Sequence, residues 1–113
     1  MIYLILKKLY KFKFLKRIIP SILRFMQGNV TIKVYNFYIN CSLKNSIDRE
    51  IYLTNSYDED RFNYLDQFTK KYKFDFFFDI GAYIGFYSLY YSNYIQVPNV
   101  ICFEANKYNY KKL

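Results

Sequence analysis

The sequence predicts an α/β fold whose informative part is a single βαβ unit. Three observations predict it. The aromatic run Phe74-Asp75-Phe76-Phe77-Phe78-Asp79 is too short for a helix and is ended by Gly81. Residues 84–92 then suit a helix, and residues 93–99, with Pro98 among them, form a return loop. The second apolar run, Val100-Ile101-Cys102-Phe103, reads as a second strand. Asn106 is placed to cap a further helix beginning at Lys107. As a short, aromatic-rich run, the first strand reads as buried on both faces, as at the centre of a parallel sheet.

A small hairpin and helices precede this unit. Gly28-Asn29 reads as a turn, and Thr31-Ile32-Lys33-Val34-Tyr35 and Phe37-Tyr38-Ile39 read as short strands joined near Asn36. Asn45 or Ser46 starts a short helix through Ile51. Ser56 with Glu59 three residues later has the spacing of a capping box. Phe62, Leu65, Phe68 and Tyr72 follow at helical period, which predicts a helix over residues 57–71, with Lys70 and Lys71 at its negative end.

Composition narrows the chemistry. The chain has 113 residues, 53% hydrophobic and 24% aromatic, enough for one compact domain and too apolar for intrinsic disorder. It has no histidine and two cysteines, Cys41 and Cys102, which excludes a histidine-based triad, an ordinary zinc cluster and a disulfide framework. No metal site is expected. The cysteine usage fits a reducing compartment, and the expected location is cytoplasmic, with membrane-peripheral attachment open through the N-terminal arm.

The net charge of +8 is unevenly placed. Lys7, Lys8, Lys11, Lys13, Lys16, Arg17, Arg24, Lys33 and Lys44 fall before the first acid, Asp48, whereas the remainder of the chain is nearly balanced. Residues 1–28 therefore read as a basic amphipathic arm, separate from a body over residues 29–113. Its longest uncharged stretch, residues 1–6, is far from the roughly 20 residues a bilayer span needs. Leu6, Leu9, Tyr10, Phe12, Leu15, Ile18 and Ile19 have helical spacing, and Pro20 is expected to stop or kink that helix near Ile19. Three readings stand open for the arm: a solvated helix packing its apolar stripe on the body, attachment to an anionic membrane surface, and nucleic-acid binding. The last lacks any recognised reading motif, and no nucleic-acid partner is expected.

The segment that carries chemistry is Asp79-Ile80-Gly81-Ala82-Tyr83-Ile84-Gly85, followed by Glu104. Gly81 lets the backbone turn sharply and lets a ligand approach without meeting a Cβ. Gly85 suits close helix–sheet packing or continued ligand access. Asp79 and Glu104 close neighbouring strands, and such strand ends border the ligand crevice of an open α/β sheet. A carboxylate at Glu104 is the complement of the two hydroxyls of a ribose. Its position 23 residues after Gly81 suits a nucleoside-binding unit. Tyr83 stands where the dinucleotide fingerprint needs its second glycine, which argues against NAD or FAD, and no P-loop lysine follows. A nucleoside without a diphosphate remains, with S-adenosylmethionine the obvious candidate. The competing reading is a tight turn and close packing, with Glu104 a surface acid.

The run Phe78-Asp79-Ile80-Gly81-Ala82-Tyr83-Ile84-Gly85-Phe86-Tyr87-Ser88-Leu89, with Val100-Ile101-Cys102-Phe103-Glu104-Ala105-Asn106, resembles the opening of the FkbM-like family of S-adenosylmethionine-dependent methyltransferases. The stretch Ile47-Asp48-Arg49-Glu50-Ile51-Tyr52-Leu53-Thr54-Asn55-Ser56-Tyr57-Asp58 also resembles that family's pre-domain segment, so the likeness covers about residues 30–113. It implies a Rossmann-like class I methyltransferase fold and methyl transfer to a hydroxyl of a sugar, glycan or other small acceptor. It also implies cofactor-binding roles. Asp79 and Gly81 would line the methionine end, Ala82 and Gly85 would shape the turn, and Glu104 would hold the ribose. No catalytic base is implied. Tyr83 replaces the usual Asn and Ala105 the usual Pro, leaving the acid and both glycines in place.

Only the first βαβ unit of that fold is expected here, so the chain reads as an N-terminal fragment, inactive alone, with apolar surface uncovered on its first strand. The rival readings are a small membrane-peripheral protein that is not an enzyme and a fragment of a nucleotide-binding oxidoreductase.

Overall fold

The structure, a computed structural model, describes residues 1–26 and 28–113; Gln27, within the basic arm, lies outside the described residues. Helices and small sheets alternate along the chain. Contacts divide it into two units, Met1–Val34 with Tyr38–Tyr57, and Tyr35–Phe37 with Asp58–Leu113.

In the first unit the arm is not one helix. Helix α1 (Ile2–Leu9), a 3-10 turn (Lys13–Lys16) and helix α2 (Ile19–Phe25) follow one another. The expectation of a helix stopped at Pro20 is thereby corrected, because Pro20 lies in the first turn of α2. There the missing N–H has no helical acceptor to lose, and the fixed φ of proline already suits a helix. Ile19 and Leu23, one turn apart, are the buried residues of α2. Strands β1 (Asn29–Val34) and β2 (Phe37–Ser42) pair as a hairpin. Tyr35 and Asn36 alone connect them, a link short enough only for antiparallel strands. Along β2, Phe37, Ile39 and Cys41 are buried while Tyr38 and Asn40 face water.

Helix α3 (Ser46–Thr54) starts where the sequence places it and runs past Ile51 to a left-handed Asn55 at φ 57°. Its buried Asp48 accepts the Ser42 N–H on Oδ2 at 2.7 Å, while Arg49 Nη1 donates to the carbonyls of Leu43 and Lys44 at 2.9 and 2.6 Å. Side chains thus satisfy the backbone of the corner between β2 and α3, which has no ladder of its own. Burial, reinforced by Asp48, pushes the Cys41 thiol up to about 12, so it remains a neutral, apolar core group.

In the second unit, helix α4 (Glu59–Lys71) begins behind Asp58, and the expected Ser56 capping box does not form. The Ser56 N–H instead donates to Thr54 Oγ1 at 3.1 Å, so Ser56 closes the end of α3 and does not open α4. Phe62 meets Tyr90 edge-on with ring centroids 4.1 Å apart. The Tyr90 hydroxyl donates to Asp66 Oδ1 at 2.7 Å, and Lys70 Nζ lies 2.5 Å from Asp66 Oδ2. Desolvation of Asp66 favours its neutral acid, but the bonds from Lys70 and Tyr90 outweigh that and hold its pKa below the ordinary value of 3.8.

Strands β3 (Phe76–Ile80) and β4 (Asn99–Phe103) pair in parallel, from Phe76 opposite Asn99 to Ile80 opposite Phe103. Between them, helix α5 (Phe86–Leu89) continues into a π turn (Tyr90–Tyr94). That connection covers one sheet face, where Phe77 stacks on Tyr91 with centroids 4.0 Å apart. The expectation of a strand buried on both faces is overturned: Phe76, Phe78 and Ile80 are exposed, as are Ile101 and Phe103 across the ladder. Strand alternation sends every second side chain away from α5, and among the described residues no element covers that side. Helix α6 (Lys107–Tyr110) follows its expected cap, with Asn106 Oδ1 accepting the Tyr108 and Asn109 N–H groups. No helix among the described residues is long and apolar enough to cross a membrane.

Two outcomes test these contacts. Asp48→Ala leaves the Ser42 N–H without its acceptor and should lower the unfolding free energy in urea by about 1.5–3 kcal/mol; a loss below about 0.5 kcal/mol would show the bond to be unimportant. Asp66, with a lowered folded-state value, adds stability that is present above its unfolded value and vanishes as pH falls through the folded one. The stability difference between wild type and Asp66→Asn should therefore be constant from pH ~7 to ~5 and shrink below pH ~4. Shrinkage already above pH ~5 would contradict it.

Candidate functional site

The register of β3 with β4 sets the site. Because Ile80 lies opposite Phe103, Gly81 and Glu104 leave the sheet side by side. The N–H groups of Gly81 and Ala82 both donate to the Phe103 carbonyl, at 2.8 and 3.0 Å, folding the bend over the end of β4. Gly81, Tyr83 and Gly85 alternate through the left-handed region at φ 81°, 53° and 76°. Glycine adopts this conformation without the steric cost an L side chain meets there. A Cβ built on Gly81 would meet nothing within 4 Å, so the backbone of the bend is open to an approaching group. At Gly85 a Cβ would come within 2.8 Å of Leu113 Cδ2.

Glu104 points into this bend. Its Oε2 accepts the Tyr83 N–H at 2.8 Å and its Oε1 accepts the Asn106 N–H at 2.8 Å. These bonds, that from Asn106 first, hold the Glu104 carboxyl below the ordinary glutamate pKa and keep the carboxylate ionised. A carboxylate has about four lone-pair positions, so some acceptor capacity remains beside the two backbone donors and the Asn109 side chain, which also bonds it. A fixed, half-exposed carboxylate next to an open glycine bend is suited to a ligand with neighbouring hydroxyls.

The other expected site residues are placed differently. Asp79 is buried on the inner sheet face, where its Oδ2 accepts the Ser88 N–H at 3.1 Å and the Ser88 hydroxyl at 2.6 Å. Cys102 Sγ in turn donates to Ser88 Oγ at 3.0 Å, so a chain of bonds runs from β4 through α5 to β3. Ala82 is buried under the bend. The bend and Glu104 thus come together at the strand ends, while the carboxylate of Asp79 faces the helix. Sequence reasoning missed Ser88, Asn106 as a donor to Glu104, and the double acceptor at Phe103. Ser88, nine residues beyond Asp79, carried no recognisable spacing; Asn106 was visible only as a cap. A cavity of about 230 Å³ beside Gly85 is lined by Ser88, Val100, Cys102 and Leu113 among others, and by neither Gly81 nor Glu104. Among the described residues no group of His, Cys, Asp and Glu could hold a metal ion.

No family model, curated protein or solved structure matches the chain.

Removing the buried acid separates packing from ligand contact. Asp79→Ala should lower stability by about 1.5–3 kcal/mol in urea unfolding. An unchanged unfolding midpoint would show that the bonds to Ser88 do not brace the unit.

Proposed function

We infer that the ends of β3 and β4 hold the adenosyl group of S-adenosylmethionine, and that the chain belongs to an FkbM-like methyltransferase with a Rossmann-like class I fold. The observation that carries this reading is the Glu104 carboxylate fixed on the Tyr83 N–H beside the open bend at Gly81. The residues fit the cofactor. The two carboxylate oxygens receive the ribose hydroxyls, and the bare Gly81 backbone leaves room for the rest of the adenosyl group, with no positive charge needed for a diphosphate.

Bound there, the cofactor would supply an electrophilic methyl group for transfer to a hydroxyl of a sugar or other small acceptor. The contribution of this chain is orientation. Glu104 fixes the ribose, Gly81 and Ala82 keep the bend on the Phe103 carbonyl, and Asp79 braces that bend from within through Ser88. No residue is assigned as base.

Isothermal titration with S-adenosylhomocysteine and, separately, NAD tests the reading. S-adenosylhomocysteine should bind and NAD should not. Glu104→Ala should weaken S-adenosylhomocysteine roughly tenfold or more while the protein still unfolds in one cooperative transition. Because the Glu104 carboxylate is held below the ordinary glutamate value, wild-type affinity should stay flat as pH falls from ~8 to ~5. Preference for NAD, or indifference to Glu104→Ala, would overturn the assignment.

A further inference from the structure

The first unit carries an amphipathic surface turned the unusual way round. Helix α1 is mostly apolar yet buries none of its residues. It is held through Tyr3 and Lys7: the Tyr52 hydroxyl donates to the Tyr3 carbonyl at 2.6 Å, and Lys7 Nζ donates to Asn55 Oδ1 at 2.7 Å while lying 4.9 Å from the Tyr52 ring centre. With that side engaged, Ile2, Ile5 and Leu9, spaced i, i+3 and i+7 on one helix face, are 56%, 50% and 37% exposed. Phe12 and Phe14 beyond the helix are exposed as well. Lys8, Lys11 and Lys16, with Lys7, line a cleft of about 710 Å³.

We propose that the exposed aliphatic face of α1 docks on an anionic phospholipid bilayer, with Ile2, Ile5, Leu9, Phe12 and Phe14 entering the acyl boundary and the long side chains of Lys8, Lys11 and Lys16 reaching lipid phosphates from its flanks. Exposed aliphatic and aromatic anchors beside lysines are the composition of a helix that lies in the membrane interface, and six residues is the longest uncharged stretch of the arm, so it lies on the bilayer and does not cross it. The charge complementarity is one-sided: nine Lys and Arg precede the first acid at Asp48. That imbalance disfavours a second copy of this chain as the occupant, because a two-fold interface would set the same basic patch against itself. Nucleic acid is disfavoured because Ile2, Ile5 and Leu9 on the exposed face of α1 are aliphatic, and among these anchors only Phe12 and Phe14 beyond the helix offer bases a stacking surface.

Flotation of the full chain with phosphatidylcholine vesicles, with and without phosphatidylserine, tests the proposal. Binding should be at least about tenfold stronger with phosphatidylserine and should weaken as salt rises from ~0.1 to ~0.5 M. Lys8→Glu with Lys11→Glu and Lys16→Glu should abolish it, and Ile2→Ser with Ile5→Ser and Leu9→Ser should weaken it about tenfold or more at constant charge. All six positions face solvent or the open cleft, so the melting curve should be unchanged. Equal binding to uncharged vesicles, indifference to either triple variant, stronger binding to single-stranded RNA than to anionic vesicles, or self-association through this face would each overturn it.

Discussion

The parallel pairing of β3 with β4 is the constraint on which the second unit depends. Setting Ile80 opposite Phe103 makes Gly81 and Glu104 emerge at the same level, and the Phe103 carbonyl then collects the next two N–H groups of the bend. The bend is therefore anchored by backbone, and Tyr83 is left with its N–H directed at Glu104. A slip of one residue would exchange the two faces of β4, carrying Cys102 away from Ser88 and ending the chain of hydrogen bonds to Asp79. Bend, carboxylate and inner brace follow from one register.

Acids do two kinds of work in this chain. Asp48 and Asp79 are buried, and each crosses from one element to the backbone of another: Asp48 from α3 to Ser42, Asp79 from β3 to Ser88 in α5. Low surrounding dielectric makes such bonds effective and their loss costly, which is the signature of a brace. Glu104 also accepts backbone N–H groups, but at a half-exposed strand end beside a glycine that leaves space open. Exposure, not residue type, separates the acid that can meet a ligand from the acids that hold the fold.

In the first unit the two helices of the arm treat their apolar residues differently. Apolar spacing along the arm suits a stripe packed inward, and α2 obeys it through Ile19 and Leu23. Helix α1 does the opposite, because Tyr52 and Asn55 on and just beyond α3 offer a hydroxyl, an aromatic face and an amide oxygen, which suit a tyrosine carbonyl and a lysine better than they suit leucine. Ile2, Leu4, Ile5 and Leu9 are consequently left outward.

Sequence alone determined what is encoded within a few residues. The hairpin turning near Asn36, the start of α3 after Asn45, the Asn106 cap and the strand–bend–helix–strand order all follow from turn chemistry, capping and periodicity, which act over one turn of chain. The meeting of Glu104 with the bend at Gly81 was legible too, since strand ends in a parallel pair must lie together. Tertiary structure decided the rest. It broke the arm into three pieces, moved the start of α4 from Ser56 to Asp58, turned Asp79 toward Ser88, and left one face of β3 open to solvent. The physical reason is the same in each case: a residue's local pattern states which side chains share a face, but what lies against that face is supplied by chain far away in sequence.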